Sequence, residues 1–242
     1  NTDRATTFSN MKNYFLRKDN DLEICSHRTN SIARFIRFSA ILNCMEIDVI
    51  IENDHLDVSH SKKESTSLKL VDLIKIQKDK NDILWLDVKN IQSTEQCIKL
   101  MNHLKNINLK NNQIKLFIEF PSTIINEISN YKECISNIRL MNFPISYYIP
   151  NNVKSKCIEE EKLNNSDEKS CKYINEIIRK IYESSLFTDL SFDYKNYDYL
   201  KNINQIDKFT LNTWHIPDQE IMSISDKNFR LVIPYNDNVN YN

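Results

Sequence analysis

Glycine is missing altogether from this chain of 242 residues, and alanine occurs only at Ala5, Ala33 and Ala40. An average chain carries about 7% glycine. Without it, every turn that needs a positive φ is expected to fall on Asn or Asp, the next most tolerant residues. The pairs Asn111-Asn112, Asn151-Asn152 and Asn164-Asn165 therefore mark expected loops. The same absence excludes a glycine-rich phosphate loop and, with it, the usual dinucleotide-binding sheet. No apolar run approaches the ~18 residues of a transmembrane helix. A net charge of −1 argues against a nucleic-acid binder driven by counterion release. Residues 1–20 show no basic stretch followed by an apolar one, so no targeting signal is visible there. The six cysteines are too few, in a chain this long, for a disulfide-dense scaffold, and none forms a Cys-x-x-Cys zinc pattern.

What is present is an alternation. Short β-branched runs begin near residues 23, 44, 83, 114, 144, 186, 209 and 229, and each is separated from the next by a helix-period segment or a short helical turn. In the first helix, expected from Ser31 to about Leu42, the apolar positions are Ile32, Phe35, Ile36, Ala40 and Ile41. One extra run, Leu56 to Ser59, stands outside the alternation. Strand–helix repetition predicts parallel strands. Eight units in this length predict a single (β/α)8 TIM barrel over residues 21–242, preceded by an N-terminal extension, residues 1–20. A polar stretch at about 151–170, with Glu159, Glu160 and Glu161 in a row, reads as an inserted loop at the catalytic rim. It is expected to be a lid, a membrane-contact segment or a disordered acidic loop.

A barrel places its active site at the carboxyl ends of its strands, and the polar residues there form a chemically matched set. The first strand runs out into His27, Arg28, Thr29 and Asn30. The second carries Glu46 and Asp48, two apart and so on one face, while Met45, Ile47 and Val49 face the helix layer. The third carries Asp87 and Lys89, the fourth ends at Glu119, and the seventh at Trp214 and His215. His60 follows in the loop after the second strand. Carboxylates crowded at one barrel end raise one another's pKa unless a cation lies between them, and a hard divalent ion accepts such ligands. Each residue also has a structural reading. Glu119 can pair with Lys89, Arg28 can be an anion contact or a rim salt bridge, and His55 and His103 read as surface positions. Tyr147, Tyr148, Trp214 and Tyr235 either stack on a ligand or pack the barrel mouth. Cys25, Cys44, Cys97 and Cys134 read as buried residues on strands and helices. Cys157 and Cys171 flank the polar stretch and can close it if the protein is exported.

The order His-x-x-Asn, Glu-x-Asp, a loop His and then Asp-x-Lys resembles the phospholipase C-like phosphodiesterase superfamily, which includes glycerophosphodiester phosphodiesterases and sphingomyelinase D enzymes. The stretch Ile24 to Asn90 carries the likeness. His27-Arg28 is similar to the opening of the glycerophosphodiesterase motif, although glycine follows there and Thr29 follows here. Asn30 fits the sphingomyelinase D and menorin-like branches, and the menorin-like branch looks closest. Trp214 is similar to a late-strand Trp of the superfamily. The resemblance implies that Glu46, Asp48 and Asp87 bind one divalent ion, Mg2+ or Ca2+. It implies that His27 and His60 are the acid/base pair, and that Arg28, Asn30, Lys89, Glu119 and Trp214 contact substrate.

The expected activity is phosphodiester hydrolysis, or transfer to a cyclic phosphate, on a glycerophosphodiester or lipid headgroup. A non-catalytic barrel that binds a phosphorylated ligand or protein, and a cell-envelope glycan phosphodiesterase, are the alternatives. The expected partners are a small-molecule or lipid phosphodiester and a peripheral membrane surface, with no nucleic acid. An exported or cell-envelope location is expected over a cytoplasmic one.

Overall fold

The second strand of the chain, β2 (Cys44–Ile51), is buried at every residue. A strand needs that composition when helices cover one face and the side chains of a closed sheet fill the other. The structure, a computed structural model, describes residues 22–77, 82–110, 115–164, 171–221, 224 and 228–234. The expected N-terminal extension, Asn111-Asn112 and Tyr235 lie outside these residues.

The chain is a single (β/α)8 TIM barrel. Its other strands are β1 (Glu23–Ser26), β3 (Leu56–Val58), β4 (Ile83–Val88), β5 (Lys115–Phe120), β6 (Ile145–Tyr148), β7 (Asp189–Asp193), β8 (Thr210–Ile216) and β9 (Phe229–Pro234). Eight of the nine pair in parallel in the order β1-β2-β4-β5-β6-β7-β8-β9. The ring closes where Glu23 and Ile24 meet Leu231 and Val232. The extra strand β3 turns back antiparallel along the end of β2, with Val58 opposite Val49, and so stands outside the count of eight. Its role is local, because it delivers the loop that holds His60 to the carboxyl end of β2.

Alternation along the strands separates two cores. Met45, Ile47, Val49, Leu84, Leu86 and Val88 face outward into the layer shared with the helices. Inside the barrel, Cys25, Cys44, Trp85, Phe117, Leu231 and Ile233 pack together. Cys25 and Cys44 are register partners on β1 and β2 and are joined by a disulfide, Cα to Cα 4.4 Å. The amino-terminal end of the barrel is closed by an ion pair, Arg230 Nη2 to Asp189 Oδ1 at 2.5 Å, and Asn212 donates to the same carboxylate oxygen.

The helical layer comprises α1 (Ile32–Ser39), α2 (Leu70–Ile76), α3 (Thr94–Lys110), α4 (Ile128–Arg139), α5 (Val153–Asn164), α6 (Lys172–Ser184), α7 (Tyr197–Leu200) and α8 (Asp218–Ile221). In α6, Ile174, Ile177, Ile178 and Ile181 recur at helical spacing and are buried. The face of α1 differs from expectation. Phe35 and Phe38 are buried, while Ile32 and Ile36 are 47% and 49% exposed.

Two further expectations are corrected. The polar stretch is largely the helix α5, not a loop. Val153 and Cys157 bury its inner face, and the Glu160 carboxylate accepts from the Lys172 and Tyr173 amides at 2.8 and 3.1 Å. An acidic group at those orphan N–H groups stabilises the start of α6, so the charged run serves an internal cap. The left-handed positions are also not reserved for Asn and Asp. Among the described residues they are Arg28, Ser67, Asn142, Ser185 and His215. Ser185 ends α6 in the place where glycine is usual, its amide bonding to the Tyr182 carbonyl.

All six cysteines are paired. Besides Cys25–Cys44, Cys97–Cys134 ties α3 to α4, and Cys157–Cys171 ties α5 to α6. The four cysteines read as buried residues of strands and helices are thus covalently engaged. Three disulfides fit an oxidising compartment. The Cys157–Cys171 bridge closes a separation of 14 residues. Replacing both by alanine is expected to lower stability by about 3 kcal/mol, read as a lower urea midpoint.

Candidate active site

The register of three neighbouring strands brings the acidic residues together. Asp48 on β2 lies opposite Asp87 on β4, and Asp87 lies opposite Glu119 on β5. Glu46 stands one inward position earlier on β2. Ligand-type oxygens of Glu46, Asp48 and Asp87 all lie within 4.8 Å of one another. Glu46 and Asp87 line a cavity of about 440 Å3 together with His27, Arg28, His60, Trp85, Lys89, Glu119, Tyr148, Trp214 and His215, while Asp48 is buried next to them and does not line it.

The turn after β1 is moulded onto β2. Arg28 adopts φ 50°, which lets its amide donate to Glu46 Oε2 at 2.5 Å. Thr29, the residue at which the glycerophosphodiesterase motif has glycine, is not the left-handed position. It is buried, its amide bonds to the Glu46 carbonyl at 2.8 Å, and its hydroxyl meets that of Ser26 at 2.6 Å. Asn30 closes a two-point contact with Asp48. Its Nδ2 donates to Oδ2 at 2.6 Å and its Oδ1 accepts from the Asp48 amide at 3.0 Å. Both ends of the Asn30 amide are thus committed to orienting a carboxylate, and Asn30 is not among the residues lining the cavity.

The two expected imidazoles flank the acidic group. His27 Nε2 lies 3.9 Å from Glu46 Oε2, and His60 Nδ1 lies 3.3 Å from Asp48 Oδ1. The His60 loop is steadied by Ser59 Oγ, which donates to the buried Asp57 carboxylate at 2.8 Å. The Arg28 side chain is 55% exposed, with Nε 4.0 Å from Asp48 Oδ2. Neither His55 nor His103 lines the cavity: His55 pairs with Asp54 and His103 with the Glu52 carbonyl.

Lys89 decides the electrostatics. Its ammonium lies 2.8 Å from Asp48 Oδ1 and also contacts Asp87 Oδ2. Burial works against its charge, but Asp87, Asp48 and Glu46 outweigh that and hold it protonated well above the ordinary lysine range. Burial likewise works against ionised Asp48, yet His60, Lys89 and Asn30 pull its pKa below the usual carboxylate range. Glu46 goes the other way: burial, then the nearby Asp48 and Asp87 charges, raise it. Asp87 is raised mainly by burial, against the pull of Lys89. Glu119 is raised by burial and Asp87, although it accepts from Trp85 Nε1 at 3.0 Å. One ammonium among three carboxylates leaves negative charge that only protons or another cation can offset. The donors are hard oxygens with no thiol, the set that suits Mg2+ or Ca2+.

Tyr148 and His215, candidates to which the sequence assigned no role, line the cavity wall, and Asp193, not expected at the site, stands behind His215. Tyr148 stacks on Trp214, ring centroids 5.1 Å apart and planes within 14°, whereas Tyr147 is buried in the outer layer, its hydroxyl on the Ser122 carbonyl. His215 Nδ1 lies 3.1 Å from Asp193 Oδ2. Asp193 continues the inward series Asp189, Ser191, Asp193 on β7. That alternation was legible, but the strand was expected to stop at Phe192.

No protein-family profile and no curated protein matches the chain. Among solved structures it is similar to a chitinase from Chromobacterium violaceum, with TM-score 0.47 and 10% identity over 80% of this chain and 68% of that one. A likeness that distant carries no chemistry to this chain.

Glu46 and Asp87 have folded-state pKa values above their unfolded ones, so without divalent ions they favour the fold at low pH. That contribution is lost as pH rises through their folded values. Asp48 acts oppositely, contributing above the ordinary carboxylate range and failing only in stronger acid. Glu46→Gln keeps an acceptor for the Arg28 amide and removes one like charge. In EDTA at pH 7 it is expected to raise stability by about 0.5–2 kcal/mol and to flatten the decline above the ordinary carboxylate range, measured by thermal denaturation.

Proposed function

We propose that the chain is a metal-dependent phosphodiesterase of the phospholipase C-like superfamily, closest to its menorin-like branch. One observation carries this reading: Glu46, Asp48 and Asp87 converge at the carboxyl end of the barrel, and His27 and His60 line one cavity with Glu46 and Asp87. Glu46, Asp48 and Asp87 would hold one Mg2+ or Ca2+ ion. Such an ion, when bound, neutralises the non-bridging oxygens of the phosphodiester and the charge that grows on them.

The protein's own groups supply the rest. Lys89 adds a fixed positive charge to the same wall. Asp48 lies 3.3 Å from Nδ1 of His60 and favours the charged imidazolium. One of His27 and His60 takes the proton of the attacking hydroxyl as the P–O bond forms, and the other gives a proton to the departing alkoxide as the second P–O bond breaks. Attack by water yields a phosphomonoester, and attack by the substrate's own hydroxyl yields a cyclic phosphate. A cavity of about 440 Å3 suits a headgroup and its phosphate, which supports a glycerophosphodiester or lipid headgroup whose remainder stays outside at a membrane surface. Three disulfides support an exported or cell-envelope location. The Tyr148–Trp214 stack on the cavity wall favours a second reading, in which the diester belongs to a cell-envelope glycan and a sugar ring lies on the aromatic face.

Turnover of glycerophosphocholine-type or lysophospholipid substrates is expected with Mg2+ or Ca2+ and is expected to vanish in EDTA. His27→Ala and His60→Ala are each expected to lower kcat by about 10²–10⁴-fold, while the rise in melting temperature on adding the ion persists. Full activity in both variants, or indifference to EDTA, would remove the assignment.

A further inference from the structure

We propose that His215, anchored by Asp193, is a positioning residue that fixes the imidazole plane of His27; the catalytic consequence rests on the phosphodiesterase reading above. Strand alternation by itself does not aim His215 at the cavity. Its neighbour Trp214 packs into the barrel interior against Trp85, so the next side chain along a regular strand would face the helices. The strand is not regular there. Between Trp214, paired with Ile233, and Ile216, paired with Pro234, the register slips. His215 is the extra residue, and it sits at φ 58°. A bulge of this kind re-aims a side chain, and a left-handed histidine persists only where its surroundings hold it.

Two contacts do the holding. Asp193 is 4% exposed. Its Oδ2 lies 3.1 Å from His215 Nδ1 and 2.9 Å from Lys195 Nζ, and its Oδ1 accepts the Lys195 amide at 3.2 Å. These donors keep the carboxylate ionised in spite of its burial. An ionised Asp193 requires the proton on Nδ1 of His215, which sets the tautomer and the tilt of the ring. On its other side the ring meets His27, centroids 5.8 Å apart at 81°. The His27 ring thus has the His215 ring on one side and Glu46 Oε2, 3.9 Å from its Nε2, on another. The chain Asp193–His215–His27–Glu46 reaches from β7 to β2 along the cavity wall. Its effect on rate comes through His27, because an angular or ~1 Å error in a catalytic group costs about 10²-fold.

The test uses the full chain carrying 15N-labelled histidine, with activity and imidazole NMR read in parallel. His215→Ala is expected to lower kcat by about 10–100-fold with KM changed less than about threefold, and to broaden or shift the His27 ring signals. His215→Phe keeps an aromatic ring against His27 and is expected to recover at least about tenfold of a hundredfold loss. Asp193→Asn is expected to move the His215 signals first and His27 with them. If His215→Phe is as impaired as His215→Ala while its His27 signals stay at wild-type values, a proton on His215 matters rather than its ring, and the positioning role is overturned. If His215→Ala leaves both kcat and the His27 signals at wild-type values, the proposal fails while the phosphodiesterase reading stands. If the native chain turns over no phosphodiester, that reading fails, and the His27 signals still decide whether His215 positions it.

Discussion

One half-buried ammonium holds the mouth of this barrel together. Lys89 contacts Asp48 and Asp87, carboxylates on adjacent strands, in a place where burial penalises every charge. Removing one partner of such a group typically costs 3–5 kcal/mol, because the survivors remain buried without compensation. The balance is incomplete by construction. Asp48 is held ionised by His60, Lys89 and Asn30, while Glu46 and Asp87 are pushed toward protonation. The divalent ion proposed for Glu46, Asp48 and Asp87 would offset that imbalance.

Around that centre the protein manages without glycine. The left-handed positions at Arg28 and His215 lie at the ends of β1 and β8, and both turn a residue toward the cavity. At Arg28 the conformation brings a backbone amide onto Glu46. At His215 it reverses the direction the strand would impose. Each is a non-glycine residue in a costly region of backbone space, offset by contacts that only the assembled barrel supplies. The other left-handed residues, Ser67, Asn142 and Ser185, serve turns and a helix end.

Two stretches that read as unremarkable acquire their meaning from neighbours in space. The acidic run Glu159–Glu161 looks like a solvated loop, yet Glu160 caps the helix that begins at Lys172. The cysteines are scattered with no motif among them, yet all pair, one bridge lying inside the barrel itself. Neither partner of Cys25–Cys44 or Cys97–Cys134 announces the other, because separations of 19 and 37 residues correspond to no local geometry.

Periodicity and spacing alone determined the architecture and the acidic half of the site. Eight strand–helix units require parallel strands, and an alternation of two places Glu46 with Asp48 and Asp87 with Lys89 on inward faces, since both patterns are properties of a local backbone repeat. The tertiary structure decided what no local repeat encodes. The register between β2 and β4 set Asp48 beside Asp87. A one-residue slip against β9 turned His215 inward, and β3 folded back to bring His60 to Asp48. Asn30, expected on the substrate, was committed to a carboxylate instead. These outcomes depend on which strands become neighbours and at what offset, quantities fixed only when the barrel closes and its interior packs.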